Sequence, residues 1–124
     1  MTYHMSDSGS RLTEITIDDV PALARGCAVL GTGGGGEVES GSLIALSALA
    51  SRGSVQLVTL DELPDDGLVL PLSGIGAPTV GHEMMHGVDE PFLVRDAVER
   101  ALGAPVVAVM SSEIGGSNGV APVG

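Results

Sequence analysis

His82-Glu83-Met84-Met85-His86 sets two imidazoles four residues apart around a glutamate. On a helix, this H-E-x-x-H spacing turns both rings toward one zinc ion while the carboxylate polarises a bound water. Such a site needs about three turns of stable helix. Here Gly81 and Gly87 fence the pattern, with Pro78 and Pro91 further out, so the segment reads as a solvated loop or a short helix. The extended form of the pattern also fails, because Asp89 stands where a glycine is required and Phe92 where a third histidine is required. His82 and His86 remain candidates for a divalent ion such as zinc. Built on them, with Glu83, a zinc hydrolase is a third and remote reading of the chain.

Two glycine-punctuated stretches carry other chemistry. Gly31-Thr32-Gly33-Gly34-Gly35-Gly36 satisfies G-x-G-x-x-G, yet a dinucleotide site needs a strand before the glycines and an acidic residue about 20 positions on. A helical pattern precedes the run and position 56 is Gln56, which argues against NAD or FAD. The absence of any lysine excludes a P-loop. Consecutive glycines have no Cβ atoms and can adopt positive φ, so Thr32, Gly33, Gly34, Gly35 and Gly36 can form a cradle for an anion or a carbonyl oxygen. The alternative is a plain flexible turn. The second stretch, SSEIGGSNG, offers Ser111, Ser112, Glu113 and Asn118 among Gly115, Gly116 and Gly119. It follows an apolar run that reads as a strand, the position where α/β sheets collect ligands. Glu113 is the leading acid, base or ligand anchor, with a capping or turn role as the alternative.

These segments need a scaffold, and the composition sets its limits. A chain of 124 residues is about one domain long and can bury roughly two thirds of its unfolded surface. With one Phe, one Tyr and no Trp, its core must come from Ala, Val, Leu, Ile and Met. Five arginines, no lysine and 16 acidic residues give a net charge of −11, which repels nucleic acid and anionic membranes. Cys27 is the only cysteine, so no internal disulfide forms and a reducing, cytoplasmic setting is expected. No stretch approaches the roughly 18 uninterrupted apolar residues of a membrane span.

Residues 1–12 read as a disordered leader and 13–124 as a single α/β domain. Thr16 reads as the N-cap of a helix over 17–31, with Asp18 and Asp19 in its first turn and Pro21 near its start. Val20, Leu23, Ala24 and Cys27 fall at i, i+3, i+4 and i+7, one apolar stripe that makes Cys27 a core residue. A second helix is expected over 37–53 and a third over 90–103, each ending on a glycine. SVQLVTL reads as a strand; GLVLPLS and APVVAVM read as buried strands. SSEIGGSNGVAPVG reads as a glycine-rich loop. Strand, helix, strand with short links predicts a parallel pair. The fold class is therefore α/β, a small parallel or mixed sheet with packed helices, as part of a larger multi-domain assembly.

In order, LARGCAVLGTGGGG, LVLPLSGIGAP, Glu83 and SSEIGGSNGVAP resemble the N-terminal region of the S-methyl-thiohydantoin desulfurase-like family, whose members occur alongside hydantoinase and oxoprolinase proteins. The resemblance runs from about Thr16 to Gly124. It implies a hydrolase acting on a five-membered cyclic imide or thioimide, in which an S-methyl group or sulfur on a ring carbon is replaced by oxygen. It also marks Thr32 to Gly36 and Glu113 to Asn118 as site-forming, and Glu83 as the matching residue within the histidine motif. Family members continue into a further Asp- and Arg-containing stretch and a second domain. The resemblance therefore implies a fragment, a processed half or one subunit of a split enzyme, inactive alone, with a second polypeptide or a homo-oligomer completing it. The competing class is a non-catalytic binding or regulatory subunit of a hetero-oligomer.

Overall fold

The computed structural model describes residues 11–76, 80–83, 87 and 89–124, with backbone only for 81 and 82. The chain enters through β1 (Glu14–Thr16) and a 3₁₀ turn (Ile17–Asp19) into α1 (Val20–Gly31). Asp19 accepts from both the Thr16 N–H, at 2.9 Å, and the Thr16 hydroxyl, at 2.8 Å, which fixes the expected start. Thr32 ends α1 in the left-handed region at φ 47°. After the glycine run, α2 (Val38–Arg52) closes on Gly53, whose N–H donates to the Leu49 carbonyl.

β2 (Ser54–Gln56) pairs antiparallel with β1, Ile15 opposite Val55. The sequence signal for β2 was longer than the strand that forms, and β1 carried none, because three residues are too few to show a period of two. A 3₁₀ turn at Leu60–Glu62 leads to β3 (Leu68–Leu72), the single turn α3 (Val80–Glu83), α4 (Glu90–Leu102) and β4 (Val106–Ser111). β3 and β4 pair in parallel, from Leu68 opposite Val106 to Leu72 opposite Ser111. The expected parallel pair is thus present, and the fold is a small α/β one with two two-stranded sheets among the described residues.

Two expectations need correction. The stretch read as a glycine-rich loop closes into α5 (Ser117–Val120) and a 3₁₀ turn (Ala121–Val123), and it supplies Val120 and Val123 to the core. Within it only residues 112–116 and Gly124 lie outside strand and helix. Secondly, β3 and β4 are not buried strands here: Leu70 alone is buried, while Val107, Val109 and Met110 are exposed. Their apolar runs were correctly read as strands, but nothing among the described residues covers them on both sides.

The core lies between α1, α2 and the α5 segment: Val20 and Cys27 from α1, Ala45 and Leu49 from α2, Val120 and Val123, with Ile15 from β1. Val20 and Val120 are fully enclosed, and each such side chain contributes about 1.5–3 kcal/mol. That core holds α5 against the first two helices and so fixes where the Glu113 loop lies.

Candidate functional site

The site is built where two glycine stretches meet. Chain reversal after α1 puts Thr32, Gly33, Gly35 and Gly36 at positive φ, 47°, 93°, 78° and 86°, conformations that only glycine adopts without strain, Thr32 being the exception. Against them lies the loop that follows β4. Gly116 donates its N–H to the Cys27 carbonyl at 2.8 Å, Ser117 to the Gly36 carbonyl at 3.1 Å and Asn118 to the Gly35 carbonyl at 3.0 Å. The glycine carbonyls therefore cap the start of α5, which satisfies N–H groups that a helix end otherwise leaves open.

These backbones approach closer than any side chain permits. A Cβ on Gly31 would stand 2.6 Å from the Gly116 nitrogen, and one on Gly115 2.5 Å from the Gly31 Cα. One on Gly116 would stand 2.4 Å from the Gly34 carbonyl oxygen. Gly41 on α2 and Gly119 on α5 serve the same packing: a Cβ on Gly41 would meet the Ser117 hydroxyl, and one on Gly119 the Cys27 sulfur, each at 2.6 Å. Sequence reasoning marked Gly41 and Gly119 only as letters within helical or loop patterns. Gly33 differs, because nothing lies within 4 Å of the Cβ position there and the residue is exposed.

Asn118 ties the second loop to the sheet. Its side chain is 6 % exposed. The Oδ1 accepts from the Gly74 N–H at 2.7 Å, and Nδ2 donates to the Gly74 carbonyl at 3.1 Å and to Glu113 Oε1 at 2.5 Å. The Gly74 N–H requires an acceptor, which fixes the amide orientation and points Nδ2 at the carboxylate. One residue thereby joins the loop after β3, the loop after β4 and α5. The Ser111 hydroxyl, at the end of β4, faces the carbonyls of Glu113 and Asn118. Its single proton is shared between them, which braces the same turn.

Glu113 itself is exposed, a carboxylate at the carboxyl end of a parallel strand, reachable from solvent and steadied by an amide. Such a group can take or deliver a proton. Gly74 is the member of this cluster that the sequence did not single out; a glycine directly after the β3 run was its only sign. The structure brings together Thr32, Gly33, Gly34, Gly35, Gly36, Gly115, Gly116, Asn118 and Glu113. Glu83 is exposed on α3, in the segment that links β3 to α4. His86 lies outside the described residues, as does the side chain of His82, although its backbone belongs to α3. Among the described residues, no three His, Cys, Asp or Glu side chains are grouped to hold a metal.

Cys27 sits behind the loops, buried at 1 % exposure. Burial pushes its thiol pKa up, which keeps it protonated and unreactive and agrees with the core role expected from its helical stripe.

A small α/β domain with two interlocked glycine loops at the carboxyl ends of its parallel strands defines the class. The model of a family described as S-Me-THD-like, N-terminal domain, matches residues 18–124, and the chain belongs to that family. No curated protein and no solved structure matches it. No helix among the described residues is long and apolar enough to cross a membrane.

Proposed function

We propose that this chain is part of a cytoplasmic hydrolase acting on a five-membered cyclic imide or thioimide of the hydantoin or S-methyl-thiohydantoin type. The observation that carries the reading is Glu113: an accessible carboxylate, oriented by the buried Asn118 amide, at the strand end where this chain's two glycine loops converge. Membership of an S-Me-THD-like family supplies the substrate class.

In this reading a water attacks the ring carbon that bears sulfur. Glu113 takes the water's proton as the new C–O bond forms, and the C–S bond then breaks. That proton passes to the departing sulfur, the second water proton moves from the new hydroxyl to the ring nitrogen as the C=N bond becomes C–N, and so the ring gains a carbonyl and methanethiol leaves. Backbone N–H groups around Thr32 and Gly33 would hold negative charge developing on the ring. Glu83 is the second carboxylate of the scheme. In this reading further sequence of the family, beyond the N-terminal domain, completes the site.

The test is turnover of an S-methyl-thiohydantoin by the assembled protein, followed by release of methanethiol. Glu113→Gln preserves size and loses the base, so a fall of at least about 100-fold in kcat is expected. Unchanged turnover would remove Glu113 from the chemistry. Binding of the cyclic ligand with no turnover in any assembly would favour the regulatory-subunit reading.

A further inference from the structure

Among the described residues, Thr32 is the only one at positive φ that is not glycine. It sits at φ 47° and ψ 35°, the first central position of a tight turn that the Gly34 N–H closes onto the Gly31 carbonyl at 2.8 Å. Gly33, the second central residue, is at φ 93°. Both are left-handed, the type I′ form, in which glycine, asparagine and aspartate dominate. A β-branched residue there is an outlier, and holding it in place costs stability.

Neighbouring backbone imposes this turn. Gly31 and Gly35 press so closely on Gly115 and Gly116 that neither has room for a Cβ, and the Gly35 and Gly36 carbonyls accept from the Asn118 and Ser117 N–H groups. With its base pinned in this way, the turn carries Thr32, Gly33 and Gly34 exposed at its tip. Packing asks for no side chain at position 32. The Thr32 hydroxyl makes no hydrogen bond to any described residue. Every other residue of the run Gly31 to Gly36 is glycine, and a further glycine would relieve the strain. A strained hydroxyl with no internal partner, on the loop that meets the Glu113 loop, is accounted for by a ligand.

We infer that Thr32 determines specificity: its hydroxyl donates to the carbonyl oxygen of the ring that the reaction leaves untouched, and so sets which ring carbon faces Glu113. The inference rests on the hydrolase reading for the identity of the ring. Such a ring keeps an exocyclic carbonyl away from the carbon that bears sulfur, and a hydroxyl is a neutral donor suited to it. Branching at Cβ restricts χ1, so the hydroxyl is presented in few directions and loses little freedom when the ligand binds.

Calorimetry on the assembled protein tests it, with an S-methyl-thiohydantoin and with the same ring whose carbonyl is reduced to a methylene, beside denaturant unfolding. Thr32→Val keeps the branch and removes a hydroxyl that has no internal bond. Its unfolding midpoint is expected to match the parent's, while affinity for the carbonyl ligand falls about tenfold. The methylene ligand should bind parent and Thr32→Val alike. Thr32→Ser restores the donor and should recover most of the affinity. Thr32→Gly should raise the midpoint and lose the same factor in binding, and it keeps the test valid if the valine variant does not fold. Equal affinity of the parent and the Val or Gly variant for the carbonyl ligand overturns the inference. So does an equal loss for both ligands, or a midpoint that falls in Thr32→Gly, which assigns Thr32 a structural role. Turnover is scored separately: selective loss of binding in a parent that does not hydrolyse the ring leaves Thr32 its role and removes the hydrolase reading. Hydrolysis with KM and kcat unchanged in Thr32→Val does the reverse, and a parent that binds neither ligand overturns both.

Discussion

The Asn118 side chain pairs with Gly74 as a peptide group would, accepting from its N–H at 2.7 Å and donating to its carbonyl at 3.1 Å. Just beyond the last strand pair, Leu72 opposite Ser111, a side-chain amide continues the tie between the β3 and β4 segments. The same Nδ2 holds Glu113, so the position of the candidate carboxylate depends on the sheet end.

Asn118→Ala removes the partner of the Gly74 N–H and carbonyl, and because Gly74 is exposed water can take up both groups. A loss of about 1–2 kcal/mol in denaturant unfolding is expected. Asn118→Asp keeps the acceptor for the Gly74 N–H but turns a donor into an acceptor beside the Glu113 carboxylate. It should be the less stable of the two at neutral pH and recover toward acid, where one carboxyl of the pair is protonated. Unfolding curves at two pH values check the order.

Gly35 and Gly33 separate packing from open space within one loop. A Cβ on Gly35 would stand 2.1 Å from the Gly115 carbonyl oxygen, on backbone that cannot move aside cheaply. Gly35→Ala should cost more than about 3 kcal/mol or abolish folding. Gly33→Ala meets nothing and carries only the strain of φ 93°, about 1–2 kcal/mol. If Gly33 faces the ligand, its alanine variant should raise KM at nearly native stability; equal destabilisation by both substitutions would contradict this division.

Cys27 should react slowly. Its burial and raised pKa predict that a thiol reagent labels the folded chain at a rate set by unfolding, and the denatured chain at once. Rapid labelling of native protein at neutral pH would show that α1 and α5 separate readily.

Acid should weaken the tie between the N-terminal segment and the Leu60–Glu62 turn. The Glu62 carboxylate accepts from the Thr59 N–H and hydroxyl and pairs with Arg11 at 2.7 Å. The Thr59 N–H bond, then Arg11, holds its pKa down from 4.5 to about 2. A depressed carboxylate stabilises the fold above its unfolded pKa, and that contribution disappears as pH falls through the folded value. The stability difference between the parent and Glu62→Gln should therefore be full above about pH 5 and vanish toward pH 2. Salt should reduce it, because both partners are half-exposed. A difference that persists at pH 2 would assign the effect to something other than ionisation.

Local signals were legible where they repeat or punctuate. Glycine ends, Pro at the first turn and the stripe through Val20 and Cys27 were enough to place α1, α2 and α4. The apolar runs located β3 and β4 and their parallel pairing. Glu113 and Asn118 stood out because chemistry-bearing residues lay among glycines after a strand. His82 and Glu83 lie on a helical turn of four residues, while His86 is outside the described residues, so their pairing remains an expectation from spacing.

By itself, then, the sequence determined the helices, the apolar strands, the acidic surface and the family pattern, because each depends on residues near one another in the chain. Only the tertiary structure decided why the glycines are glycine, that Asn118 serves Gly74 and Glu113 together, and that Val120 and Val123 are core. Those facts depend on backbones 80 or so residues apart coming within a bond's reach, and no local period or propensity encodes such an approach.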